Sequence, residues 1–145
     1  MICLRKITFS DAAVLSEKSS MPMNDALKMI EQSNAASCNN RYFEMYAATT
    51  GEGIVGLISL YEFSPSVVSI GPEIYEEFRQ RGYAAEAMTS AMEIARSRGY
   101  RIVCQQIRTD NIASIRLHTR LGFETDNAIY RNKKQHEVSF FLKCL

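Results

Sequence analysis

Apolar and polar positions along the chain repeat with two periods, and their changeovers mark out the elements. Ile2 to Thr8 reads as a short strand. Ser10-Asp11 then supplies an N-cap signal, and Ala12, Ala13 and Leu15 follow as a short helix. Met21-Pro22 breaks the chain before a second helical segment, Asn24 to about Ser33, while Ala35 to Asn40 is polar and loop-like. Arg41 to Thr49 and Ile54 to Phe63 are aromatic and β-branched runs flanking a glycine-containing hairpin turn at 50–53. Ser64-Pro65-Ser66 marks another turn, and Val67 to Ile74 gives a third strand. From about Gln80 to Arg98 the period becomes helical. Ala84, Ala87, Met88, Ala91, Ile94 and Ala95 share one face, and Gly99 ends the helix. Arg101 to Ile107 reads as a strand, and Asp110-Asn111 caps a helix running to about Leu121. Phe123 to Tyr130 and His136 to Lys143 form a final strand pair. This order predicts a mixed α/β (α+β) domain spanning 1–145. The helix between Val67–Ile74 and Arg101–Ile107 makes a right-handed crossover, which sets those two strands parallel.

Charge narrows the partners. Seventeen basic residues face sixteen acidic ones, a formal charge of +1. No global field draws in nucleic acid or an anionic membrane, so any anion site has to be local. Cys3, Cys38, Cys104 and Cys144 lie far apart without metal-type spacing, and read as reduced thiols with no metal implied. Met1 to Lys6 turns charged too early for a secretory signal, and no apolar run approaches the roughly 18 residues of a membrane span. A cytoplasmic protein is the expectation.

The most informative stretch is Arg79-Gln80-Arg81-Gly82-Tyr83-Ala84-Ala85-Glu86-Ala87, between a strand and the long helix. A helix N-terminus offers unpaired N–H groups and roughly half a positive charge, which suits phosphate if the backbone is approachable. Gly82 removes an obstructing side chain, Ala84 keeps the next outward position small, and Arg79 and Arg81 add charge. Alone, this short pattern equally describes a solvated basic turn before a surface helix. It lacks the Lys-Ser/Thr of a P-loop and the three glycines of a dinucleotide fold.

A second segment follows the next strand, running from Asp110-Asn111-Ile112-Ala113-Ser114 through His118 to Leu121-Gly122-Phe123-Glu124. Together the two segments resemble motifs A and B of the GNAT acetyltransferase superfamily, Q/R-x-x-G-x-G/A and N-x-x-A/S ending in Leu-Gly-Phe. The similarity runs from about Ser69 to Glu124. Ser114 adds some resemblance to the ribosomal-protein N-terminal acetyltransferase subgroup. The resemblance implies a mostly antiparallel mixed sheet with one splayed parallel pair, flanked by about four helices.

It also implies roles. The amides of Gln80, Arg81, Gly82, Tyr83 and Ala84, beside Arg79, would hold the pyrophosphate of acetyl-CoA. The pantetheine arm would lie along Glu73, Ile74 and Tyr75 like an added strand. Asn111 would bond that arm or simply cap its helix, and Arg120 would face the adenosine phosphate or only solvent. His118 stands where the family commonly has a tyrosine near the sulfur. As imidazolium it would protonate the leaving thiolate, the alternative being a packed helix residue. Ser114 would bond the acyl or thiol region, or serve as a helix hydroxyl. Pro72 is a departure. It lies near the position whose N–H bonds the acetyl carbonyl, and proline has none. Glu73 is the nearest amide to replace it.

The activity implied is N-acetyl transfer from acetyl-CoA to a primary amine, on a peptide or protein N-terminus or a small molecule, by direct attack. Glu73 leads the candidate bases, ahead of Glu44, Glu62 and His136. Cys104 is an acylation candidate only if it is not simply a buried small residue. A catalytically weak acyl-CoA-binding sensor is the alternative, motivated by Pro72 and His118. A homodimer is compatible with the resemblance.

Overall fold

The computed structural model describes residues 1–145. Its strands are β1 (Cys3–Lys6), β2 (Ser37–Cys38), β3 (Arg41–Thr50), β4 (Gly53–Ser64), β5 (Val67–Ile74), β6 (Ile102–Arg108), β7 (Tyr130–Arg131) and β8 (Glu137–Cys144). Four α-helices accompany them: α1 (Ala12–Lys18), α2 (Met23–Asn34), α3 (Tyr83–Ser97) and α4 (Ile112–Arg120). The sheet runs β1-β3-β4-β5-β6-β8-β7, with β2 pairing β3 at its edge. Every pairing is antiparallel except β5 with β6.

Both faces of the sheet are covered, and β3 and β4 accordingly carry near-continuous runs of buried residues rather than an alternation. On one face Ile58, Leu60, Val68, Ile70, Val103 and Ile107 pack against Ala87, Met88, Ala91 and Ala95 of α3. Ile115 and Leu117 of α4 join the same core. On the other face Phe43, Met45, Ala47 and Leu57 pack against Ala12 and Leu15 of α1 and Ala26 and Ile30 of α2. Full burial of such side chains contributes roughly 1.5–3 kcal/mol each.

Three local expectations are corrected. The segment 123–130 does not form a strand: only Glu124 bridges to Leu142, and Tyr130 begins β7. Thr125 Oγ1 and Asp126 Oδ1 accept the amides of Asn127 and Ala128, and Asn127 turns to φ +62°. Those local bonds satisfy the backbone without a ladder. Residues 35–40 are not wholly loop, since Ser37 and Cys38 pair with Tyr42 and Arg41. Finally, α3 starts at Tyr83 rather than Gln80, because Gln80 and Gly82 take left-handed φ values of +62° and +82°.

Glu44, a weaker candidate base by sequence, is instead a buried structural hub, 1% exposed. Its carboxylate accepts from Arg98 Nε at 2.9 Å, Tyr46 Oη at 3.1 Å and Tyr42 Oη, and pairs with Lys6 Nζ at 2.9 Å. It joins β1, β3 and the C-terminal end of α3. Burial alone would push this carboxyl up. The hydrogen bonds from Arg98, Tyr42 and Lys6 outweigh it and bring the pKa down to about 2.

Candidate active site

β5 and β6 are paired over only three positions, Val67–Ile102, Val68–Val103 and Ser69–Cys104. Beyond them β5 stays with β4 as far as Ile74, while β6 stays with β8 as far as Arg108. The two parallel strands therefore part, and a cleft opens in the sheet. Gly56 keeps the far end of β5 against β4. A Cβ there would come within 2.3 Å of the Glu73 carbonyl oxygen, so only glycine lets β5 lie this close to β4.

The register decides which groups face the cleft. The Tyr75 amide donates to the Val55 carbonyl at 3.0 Å. Alternation then commits the amides of Glu73, Gly71 and Ser69 to β4 and turns those of Ile70 and Ile74 toward β6. Pro72 lies on the cleft side, opposite Ile58. The Glu73 amide thus cannot stand in for the missing proline N–H, a correction to the sequence reading. Tyr75 likewise offers no amide to the cleft.

At the open end of β5 the glycine turn leads into α3. No protein group accepts from the amides of Tyr83, Ala84 and Ala85, and the first helical bond is Glu86 N–H to Gly82 O. A Cβ built on Gly82 meets nothing within 4 Å, so the space over these donors is open. Arg79 Nε donates to the Ile74 carbonyl at 3.0 Å, tethering the turn to β5. Arg81 lies over the Phe78 ring and bonds Glu52 Oε2 at 3.1 Å. Part of its charge is thereby neutralised.

On α4, Asn111 is the N-cap, its Oδ1 accepting from Ser114 N–H at 3.1 Å. Its side-chain NH₂ makes no bond to the protein, so capping and a ligand contact are compatible. Arg120 is exposed in the last turn. For His118 the structure shows the second of its two readings, a packed helix residue. It is 1% exposed, edge-on to Phe123 at 4.8 Å between ring centroids. Nδ1 donates to the Ser114 carbonyl at 2.8 Å, the Ser114 hydroxyl lies 3.4 Å away, and Nε2 is buried without a partner. Burial pushes its pKa below 6.5, so the ring is neutral at pH 7. The imidazolium acid read from the sequence is disfavoured in this packing, because apolar surroundings oppose the charged form.

A general acid is worth about 10²–10⁴-fold in rate. His118→Phe is accordingly expected to lower kcat by far less, measured as thiol release. A loss in that range would reinstate the histidine.

The sequence profile of the acetyltransferase (GNAT) domain matches residues 2–124. The chain belongs to the GNAT acetyltransferase family. No curated protein matches it in sequence. Among solved structures, a RimL ribosomal L7/L12 α-N-protein acetyltransferase in complex with coenzyme A superposes with a TM-score of 0.86 at 17% identity. That match covers 99% of this chain and 94% of the other. A ribosomal-protein-alanine N-acetyltransferase from Brucella melitensis gives 0.83 at 19% identity, covering 99% of each. The putative acetyltransferase yncA from Salmonella typhimurium, with acetyl-CoA, gives 0.81 at 16% identity, covering 100% and 94%. Such identities establish a shared fold.

The remaining candidates sort by position in this GNAT fold. Glu73 projects to the α1/α2 face, where its carboxylate accepts from Ser19 Oγ at 3.2 Å. Tyr75 is buried near it, its hydroxyl unpartnered and held protonated, with a pKa pushed up to about 12, chiefly by burial. Cys104 is buried and its thiol is pushed up to about 11, so thiolate chemistry at neutral pH is disfavoured. Glu62 is engaged by Tyr100 Oη at 2.6 Å, and His136 lies in the turn before β8. Glu62 pairs with Val68, before the two strands part. Sequence reasoning missed Ser69 and Gln105, which bond each other at 2.8 Å where β5 and β6 part. The available signal was the polar pair Gln105-Gln106 between the apolar residues Ile102 to Cys104 and Ile107.

The pKa shifts set a direction for stability against pH. The unfolded His118 binds a proton below about 6.5 while the folded one resists it, so stability falls as pH drops through that value. Glu44 adds a second loss, from its ordinary 4.5 down toward about 2. Asp11, lowered chiefly by its Arg5 hydrogen bond, acts in the same sense. Thermal melts are expected to show Tm declining from pH 7 to 5 and more steeply below 4.5. A Tm independent of pH from 7 to 5 would contradict the His118 shift, and one independent from 4.5 to 2.5 the Glu44 shift.

Proposed function

We propose that this GNAT protein is an N-acetyltransferase that moves the acetyl group of acetyl-CoA onto a primary amine by direct attack. The observation that carries the reading is the cleft between β5 and β6, opening beside three free amides at the start of α3. The open space over Gly82 fits a diphosphate. Gln80 to Ala84, with Arg79, would bind it, and Asn111 and the Ile74 main chain would hold the pantetheine arm. Arg120 would meet the adenosine end.

Acetyl-CoA supplies an already activated thioester. The chain's own contribution is to align it with the amine and accept a proton. A cavity of about 320 Å³ at the base of the cleft, lined by Tyr61, Phe63, Ser69, Cys104, Gln106 and Phe140 among others, carries no charged side chain. It supports an acceptor that presents an uncharged group beside its amine. Glu73 and Ser19, on the face shared with α1, support proton removal through Glu73, directly or through water. Ser114 is kept as a contact to the acyl or thiol region. The ribosomal-protein acetyltransferases among the structural neighbours favour a peptide or protein N-terminus over a small amine.

A panel of peptides and small amines with acetyl-CoA, monitored by free thiol, tests the reading. Amine-dependent thiol release is the expected result. Pro72 and the neutral His118 favour a second reading, a weak acyl-CoA-binding sensor. Binding heat with no release across the panel would select it.

A further inference from the structure

The family fold leaves this chain with an electrostatic gap, and a side chain stands where it falls. Beyond the last paired position, Ser69–Cys104, the β5 main chain facing the cleft belongs to Pro72 and Ile74, with Ile70 at the base. Pro72 has no N–H, and the Ile74 carbonyl is taken by Arg79. An acyl oxygen lying beside Pro72 therefore finds no main-chain donor there.

Gln105 is the first β6 residue past the paired region. Its side chain starts from the same side of the sheet as core residues Val103 and Ile107, yet the carboxamide reaches back to β5. Ser69 Oγ donates to Oε1 at 2.8 Å. A Cβ placed on Gly71 would lie 3.8 Å from Nε2, which puts the amide nitrogen beside β5 just before Pro72. Gln105 makes no other side-chain bond, it is half-buried, and it lines the cavity at the foot of the cleft. With Oε1 occupied, the group that remains is an NH₂ with two N–H donors and no acceptor.

We propose that the Gln105 carboxamide, aligned by Ser69, donates to the thioester oxygen in place of the amide that Pro72 lacks. As the amine nitrogen adds to the thioester carbon, the carbonyl π pair moves onto oxygen, where the Nε2 hydrogen bond strengthens. When the C–N bond is complete the pair returns, the C–S bond breaks and its electrons leave on sulfur. The proton lost by the amine passes through the base to the thiolate or to water. Gln105 neither gains nor loses a proton. It stabilises the charge on oxygen, and loss of one such donor elsewhere costs about 10²–10³-fold in kcat.

This inference rests on the acetyl-CoA reading, and the test separates the two. Acetyl-CoA labelled with ¹³C at the carbonyl is bound to the protein, and its carbonyl stretch is read by isotope-edited infrared spectroscopy beside calorimetry. No acceptor amine is needed. In the wild type the band is expected to lie below that of free acetyl-CoA. In Gln105→Leu it returns toward the free position while affinity stays within about threefold, which also shows that the variant folds. Ser69→Ala gives an intermediate shift. Pro72→Ala placed in the Gln105→Leu background restores a main-chain donor and moves the band down again. With an active amine, kcat follows the same order while KM for acetyl-CoA does not. A band equal in wild type and Gln105→Leu, with binding heat in both, overturns the role of Gln105 and leaves the coenzyme reading standing. Absence of binding heat in the wild type removes both.

Discussion

Gly82→Glu is expected to abolish coenzyme binding, weakening affinity by about 100-fold or more, equivalent to roughly 2.7 kcal/mol. Two effects combine. Gly82 has φ +82°, where any side chain is strained by about 1 kcal/mol. The larger effect is electrostatic: a carboxylate would enter the open space over the free amides of Tyr83, Ala84 and Ala85 and occupy it with like charge. Gly82→Ala isolates the strain, because its Cβ meets nothing within 4 Å. The alanine variant is expected to melt slightly earlier and to bind coenzyme A within a few-fold of wild type by calorimetry. Equal losses in both variants would assign the effect to backbone conformation. Undiminished binding in the glutamate variant would move the diphosphate away from this turn.

Glu44→Ala is expected to have the largest effect on stability. It removes the one acceptor shared by Arg98, Lys6, Tyr42 and Tyr46. Breaking a buried ion pair by deleting one partner costs about 3–5 kcal/mol. Arg98 and Lys6 keep 47% and 42% of their side-chain surface exposed, so their charges can turn to water and the lower end applies. The two tyrosine hydroxyls have less freedom. A loss of about 3 kcal/mol in a chain of this size corresponds to a drop in Tm of roughly 10 °C. Catalysis is expected to persist at temperatures where the variant is folded, because Glu44 lies outside the cleft. Wild-type Tm with lost activity would instead make Glu44 the base.

Much of the fold is legible in the sequence because each clear period has one cheap solution. The alanine-rich stripe from Ala87 to Ala95 has to be covered, and the hairpin glycine at 53 takes φ +104°. The errors fall where side chains compete with the backbone. Thr125 and Asp126 use their oxygens to bond nearby amides, so between the Glu124 bridge and Tyr130 the chain leaves the sheet. Burial is harder to read than period. His118 and Glu44 are polar residues on element faces, equally consistent with solvent. Only the packing of Phe123 on the first, and four converging donors on the second, decide their state.

The sequence by itself determined the order of elements and the glycine turn opening a helix, which depend on neighbours within a few residues, and the parallel crossover, which follows from the fixed hand of a strand–helix–strand unit. The tertiary structure decided which amides face the cleft, that His118 is buried, and that Gln105 meets Ser69 beside Pro72. Those facts depend on register between strands 36 residues apart in the chain, for Ser69 and Gln105, and on desolvation. Each is a sum over distant contacts, and no local pattern encodes it.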